Sequence, residues 1–391
     1  GWLGAAIFLA LVAAGGWWWT QKKPTDASTA STQATAAPIT APATSPIKSP
    51  ERSAVELFLS KGGSAVVTKD KRSIHISQLA DIPEEPFATL ALFLPSIASP
   101  QPPSVVTPEE LRALSKLPEL NDLNLNRSTV QDSDIALLAT FPKLKKLTLT
   151  GCKNLTNDGM MEVAKLDTLN VLNVEACDRI DGTGLERLSR LTELKELNIN
   201  GLTKLDEDGL ESVLKLKNLT TLRVATLSAF TPAFVQRLAV LHNLEILSMS
   251  EEQISADLDF SELPALENLI VTSKPNAPKT SEGATISIGT AKKLKRLDVL
   301  RWVRGSETLF QTIAELPVLQ TLAIENLYLP ASQFAGLEDS TIRELIVLNG
   351  DTLFNDAALW SLVPVKSIQS ITLGEQSPVT ADGLAKFRQA R

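Results

Sequence analysis

The apolar positions of the chain fall into one phrase, Leu-x-x-Leu-x-Leu, that returns at a nearly fixed step. It reads Leu120/Leu123/Leu125, Leu144/Leu147/Leu149, Leu169/Leu172/Val174, Leu194/Leu197/Ile199, Leu219/Leu222/Val224 and Leu244/Leu247/Met249, every 24 or 25 residues. Less even spacings of 22 to 28 residues carry it through Leu266/Leu269/Val271, Leu294/Leu297/Val299, Leu319/Leu322/Ile324, Ile342/Leu345/Val347 and Ile368/Ile371/Leu373, which makes eleven phrases. Period two over Leu-x-Leu predicts a short strand with one face buried. The stretches between, such as "LTNDGMMEVAKL" and "IDGTGLERLSRL", change to helical spacing behind a polar turn, with Thr156 and Asp181 placed as N-terminal caps. One unit of this kind cannot bury its own leucines. The units are therefore expected to stack into an α/β solenoid, with a parallel sheet on the concave side and short helices on the convex side.

The phrase "LKKLTLTGCKNLTNDGMMEVAKL" resembles the cysteine-containing subclass of leucine-rich repeats through Leu144, Leu147, Leu149, Cys152, Leu155, Thr156, Gly159 and Met160. The next unit follows the same pattern through Cys177, Ile180, Asp181, Gly184 and Leu185, and the resemblance runs over about 118–391, loosening beyond Leu227. It implies a horseshoe-shaped, non-catalytic recognition domain. Cys152 and Cys177, the only cysteines of the chain, stand at the ninth position of their phrases, where that family buries an Asn or a Cys. They are read as stacked core thiols. Neighbouring strands lie about 4.8 Å apart, but side chains pointing the same way fit a disulfide dihedral poorly. Two sulfurs are too few for a metal, and neither His75 nor His242 is placed to complete a site. The equivalent positions in the next two units hold Leu202 and Leu227, so the position serves packing.

Ahead of the phrases the pattern changes twice. Residues 1–21 carry no charge, and the apolar part from Trp2 to Trp19 is about the length that spans a hydrocarbon core. They are expected to form a transmembrane anchor, with Trp17, Trp18 and Trp19 as an interfacial belt above Lys22 and Lys23; a signal peptide is the competing reading. Residues 22–49 are rich in Ala, Ser, Thr and Pro without apolar period, which predicts a flexible tether. Residues 50–117 then read as an N-terminal capping module: a helix opened by Ser49 and Pro50 and stopped by Gly62 and Gly63, strands over "SAVVTK" and "SIHIS", and a degenerate phrase at Phe87, Leu90 and Leu92. Its helix-then-"SKGG"-strand opening resembles the lead-in to leucine-rich repeats in bacterial membrane proteins, some of which carry a Ser/Thr kinase ahead of the span. No kinase motif is present in this chain. Since the first residue is Gly1 rather than Met, the reading leaves room for residues upstream, such a kinase among them.

A net charge of −7 offers no basic stripe for a phosphate backbone, so nucleic acid is not an expected partner. With two His, one Tyr and two Cys, catalytic side chains are scarce, and no catalytic, cofactor or metal residue is assigned. The acidic clusters Glu84-Glu85, Asp206-Glu207-Asp208 and Glu251-Glu252 lack calcium-loop spacing and read as solvated turns. The outward residues of the strands are more informative. In the first four units they are mostly polar: Asp122, Asn124, Asn126, Lys146, Thr148, Thr150, Asn173, Glu175, Glu196, Asn198 and Asn200. From the sixth unit they turn apolar, with Ile246, Ile270, Leu300, Ala323, Ile346 and Leu348 expected in neighbouring rows and Trp302 just beyond its strand. These seven are the candidate partner-binding residues. The turn-rich insertion at 273–290 reads either as a tolerated surface loop or as a binding loop.

The leading expectation is a membrane-tethered, non-enzymatic recognition module that binds a protein or polymer on its concave face. Lys22 and Lys23 alone would place the repeats inside the cell, whereas the Ser/Thr/Pro tether favours the extracytoplasmic side. The alternatives are the sensor part of a receptor-like Ser/Thr kinase and an intracellular repeat adaptor.

Overall fold

In the computed structural model, residues 48–96, 98–227, 229–250, 260, 262–272, 288, 291–300, 309–325, 331–348, 354–375 and 377–391 are described. No helix among them is long and apolar enough to cross a membrane. The expected anchor over 1–21, and the tether as far as residue 47, lie outside the described residues.

One sheet of fourteen strands runs through the molecule. Its strands are β1 Ser64–Lys69, β2 Arg72–Ile76, β3 Ala88–Phe93, β4 Asp122–Asn124, β5 Lys146–Thr148, β6 Val171–Asn173, β7 Glu196–Asn198, β8 Thr221–Arg223, β9 Ile246–Ser250, β10 Asn268–Thr272, β11 Arg296–Leu300, β12 Thr321–Glu325, β13 Glu344–Leu348 and β14 Ser370–Leu373. From β3 to β14 every neighbouring pair is parallel and follows chain order. The central leucines of the phrases sit opposite one another, as in Leu92, Leu123, Leu147, Leu172, Leu197, Leu222 and Leu247. All of these are buried and belong to one continuous apolar core.

The parallel ladder begins at β3, inside the segment read as a cap. Ahead of it, β1 pairs antiparallel with both β2 and β3, and the helix Pro50–Ser60 buries Val55 and Phe58 beneath. Ser49 caps that helix by accepting the Arg52 N–H, with proline in the first turn where no donor is needed.

Across β4–β8 each strand is three residues long, and after β4, β6 and β7 the turn that follows is built into the sequence. The carboxamide oxygens of Asn124, Asn173 and Asn198 each accept the N–H two residues on, at 2.9, 2.9 and 3.0 Å. One step later the backbone is left-handed at Arg127, Gly151, Ala176, Gly201 and Thr226, with φ of 49, 69, 56, 70 and 63°. Glycine takes that conformation freely, whereas the other three residues are held in it by the surrounding turn. Past Thr226 no described residue has positive φ. The positions of the turn-forming Asn are then held by Ser248, Ile270, Asp298, Ala323 and Ile346, and the strands β9–β13 run on to five residues.

The convex side changes with the strands. Short helices Asn157–Val163, Gly182–Glu186 and Glu207–Glu211 are capped by Thr156, Asp181 and Asp206. Thr156 and Asp181 are also bound by the first residue of the preceding helix: Asp132 accepts both the N–H and the hydroxyl of Thr156, at 2.8 and 2.6 Å, and the Asn157 carboxamide donates to Asp181 at 2.7 Å.

Candidate functional site

The inter-strand register sorts the outward side chains of the concave face into rows. The first row runs Asp122, Lys146, Val171, Glu196, Thr221, Ile246, Asn268, Arg296, Thr321 and Glu344. The second runs Asn124, Thr148, Asn173, Asn198, Arg223, Ser248, Ile270, Asp298, Ala323 and Ile346. The third, present where strands are long, holds Ser250, Thr272, Leu300, Glu325 and Leu348. Strands thus stacked in register, with one phrase per turn and helices on the far side, define the architecture by themselves. It is a leucine-rich-repeat solenoid.

No family model and no curated protein matches the chain. Among solved structures, an internalin (inlF) from Listeria monocytogenes aligns with a TM-score of 0.41 and 17% identity over 72% of this chain and 87% of that one. A TLR13–ssRNA13 complex aligns with a TM-score of 0.38 and 19% identity over 71% of this chain and 42% of that one. The assignment of the architecture rests on this chain's own period and register.

The seven candidate residues are not equivalent in this frame. Ile270, Ala323 and Ile346 share the second row, Leu300 and Leu348 the third, and Ile246 stands alone in the first. Ile346, Leu348 and Ile246 are half-buried, whereas Ile270 is 9% and Ala323 0% exposed. The latter two offer a partner almost no area. The backbone of Leu300 is in β11; its side chain and all of Trp302 lie outside what is described.

Asp298 was absent from the sequence reading, although its outward place in "RLDVL" could have been read from the alternation. It stands between Ile270 and Ala323 and is 2% exposed. Arg296, two residues back on the same face, donates from Nε to its Oδ1 at 2.8 Å. Burial raises the Asp298 carboxyl above its ordinary value, and the Arg296 charge opposes the shift. An isolated carboxylate so buried would cost several kcal/mol, so the guanidinium is what keeps it tolerable. Glu325, in the third row, is also nearly buried.

The polar half carries two further perturbed acids. Burial pushes Asp122 up to about 6, against the pull of Lys146. Glu175 is raised chiefly by burial as well, opposed by its bond from the Asn198 carboxamide at 2.9 Å and by Arg223. Each of the three acids has a cation beside it. Their neighbours Lys146 and Glu196 are exposed.

Cys152 and Cys177 are fully buried free thiols. Each donates to a carbonyl of the preceding repeat, Cys152 to Leu125 at 3.2 Å and Cys177 to Leu149 at 3.1 Å. Burial raises both, Cys177 to about 12, so neither is a thiolate at neutral pH. Among the described residues no three His, Cys, Asp or Glu side chains gather as a metal site. His75 and His242 are exposed, and Asp206 of the acidic run is spent as a helix cap.

Proposed function

We propose that the chain is a membrane-tethered recognition module. Residues 2–19 hold it in a bilayer, residues 22–49 space it from the surface on the extracytoplasmic side, and the solenoid takes a protein or polymer on its concave face with no catalysis of its own. The observation that carries the reading is the division of that face. Over β4–β8 the outward side chains of Asn124, Asn173 and Asn198 are engaged in their own turns. Over β9–β13 the wider sheet presents Ile246, Ile346 and Leu348 half-buried around the Arg296–Asp298 pair. An apolar margin around one compensated ion pair suits a partner that buries aliphatic surface and offers a polar group to the guanidinium. Trp302, two residues past β11 in the sequence, is the aromatic anchor in this reading; like it, residues 273–287, 289 and 290 of the insertion lie outside the described residues.

The test is capture of a ligand from membrane extract on the immobilised full chain. Ile346→Asp combined with Leu348→Asp should abolish capture while the far-UV spectrum and melting point stay nearly unchanged. Unfolding of the double variant would make the pair part of the core, and capture by a folded variant would place the site elsewhere. On intact cells, a tag after Arg391 should be open to external protease; full protection would contradict the extracytoplasmic placement.

A further inference from the structure

The carboxamides of the β4–β8 half are only partly used. Asn124 and Asn173 give their Oδ1 atoms to their own turns, and among the described residues their Nδ2 groups have no partner. Asn198 gives its Oδ1 in the same way but donates from Nδ2 to Glu175 at 2.9 Å. In the second row of the concave face these three stand with Thr148 and Arg223 on consecutive strands, β4 to β8. All five are half-buried, so each keeps surface open to solvent. Beside the row, Glu175 holds a carboxylate that accepts the one Asn198 bond and feels the charge of Arg223.

Consecutive strands of a sheet lie about 4.8 Å apart, so the row offers one polar group per strand at a fixed step. A peptide laid along it would fall out of step, since an extended backbone advances about 3.3 Å per residue and shows the same face only every second residue. An extended chain of β-1,4-linked pyranose rings advances by close to one strand spacing per ring. Each ring carries hydroxyls that accept as well as donate, which suits amino, hydroxyl and guanidinium groups with a carboxylate beside them. Charge selects neither sign strongly, because Lys146 and Arg223 share these strands and their turns with Asp122, Glu175 and Glu196. Val171 is the one aliphatic side chain in the first two rows across β4–β8, which leaves a protein partner little apolar area to bury.

We propose that this row is a second ligand site, independent of the β9–β13 half, which binds a neutral, extended β-1,4-linked polysaccharide laid across β4–β8 with one ring to a strand. The amino groups of Asn124 and Asn173 and the guanidinium of Arg223 donate to ring hydroxyls, and the Glu175 carboxylate accepts from one. The turns already fix the two carboxamides through Oδ1, so little side-chain freedom is lost on binding.

The test is calorimetric titration of the full chain, in a detergent without a sugar head group, with defined oligosaccharides. Cellopentaose or chitopentaose should bind, with affinity rising from the trisaccharide to the pentasaccharide and levelling off once the strands β4–β8 are spanned. Maltopentaose, whose α-1,4 links curl the chain out of step, should bind roughly tenfold more weakly. Asn173→Asp keeps an oxygen to accept the Glu175 N–H but puts an acceptor where the donor stood. Combined with Asn124→Asp, it should weaken the pentasaccharide about tenfold while the melting point stays near that of the native chain. Should that pair unfold the array, Arg223→Gln reads the same row and should also lose about tenfold. Ile346→Asp with Leu348→Asp lies in the other half and should leave oligosaccharide binding unchanged, so this site and the one proposed above fail separately. No binding of either pentasaccharide, equal binding of maltopentaose, or binding indifferent to the folded row variants overturns the proposal, as does loss of binding in a folded Ile346→Asp, Leu348→Asp chain.

Discussion

Between β4 and β8 neighbouring units meet through glycine on the convex side; between β11 and β14 they meet through phenylalanine. A Cβ on Gly209 would lie 2.2 Å from the Cα of Gly182, so the helices Gly182–Glu186 and Glu207–Glu211 touch backbone to backbone. Further on, the column of Phe310, Phe334 and Phe354 fills the convex layer, with ring centroids 4.9 and 5.0 Å apart. There a Cβ on Gly336 would meet nothing nearer than Phe310 Cβ at 3.4 Å. The concave side differs in step: three-residue strands, three of them closed by Asx turns, in one half, and five-residue strands with Ile270, Asp298 and Ala323 buried in the other. The lesson is that one leucine phrase tolerates two ways of filling the space behind it. The glycine half engages Asn124, Asn173 and Asn198 in its own turns, and the phenylalanine half keeps Ile246, Ile346 and Leu348 half-buried on the concave face.

The largest effect should come from opening the aromatic column. Phe334→Ala removes a fully buried ring with a neighbour on each side and should cost about 4 kcal/mol in denaturant unfolding. A loss below about 1 kcal/mol would mean that the wide half is not held by that column. Next in size, Gly209→Ala should cost on the order of 2–3 kcal/mol through backbone overlap with Gly182, whereas Gly336→Ala should stay within about 0.5 kcal/mol of the native chain. Equal effects of the two would erase the contrast between the halves. Smaller again, Cys177→Ala should cost about 1–2 kcal/mol as a cavity, with no dependence of melting on reductant in either protein.

The smallest effect concerns pH in the regular half. The Asp122 carboxyl is raised in the folded chain to about 6 from an ordinary 3.8. Between those values the folded form holds a proton that the unfolded form has released, so this group's contribution to stability is present below about pH 4 and is lost as pH rises through about 6. Asp122→Asn keeps the shape without the charge. It should melt above the native chain at pH 7 and together with it near pH 4; a variant that melts lower at pH 7 would show that Lys146 outweighs burial.

Much of this was legible in the sequence because it rests on local rules. The buried leucines, the strand positions they fix, and the caps Ser49, Thr156 and Asp181 all follow from period and cap chemistry within a few residues. Asn124, Asn173 and Asn198 were legible only as outward polar residues, since their part in ending the strand depends on backbone two residues away. The shielding of Ile270 and Ala323 was not legible, because exposure on a concave face is set by what stands beside and above a residue. Asp298 escaped for a related reason: a single acid among aliphatic neighbours carries no pattern, and its meaning comes from the register with Ile270 and Ala323. The glycine contact at Gly182 and Gly209 is likewise a property of two units together.

The division of labour between the halves is tested most directly by backbone amide exchange along the full chain, free and with captured ligand. Slowed exchange on binding should be confined to β9–β13, above all Arg296–Leu300 and Glu344–Leu348, while β4–β8 exchange as in the free chain. Protection that appears across Asp122–Asn124, Lys146–Thr148 and Glu196–Asn198 instead would contradict the account, and would make the polar ladder the recognition surface.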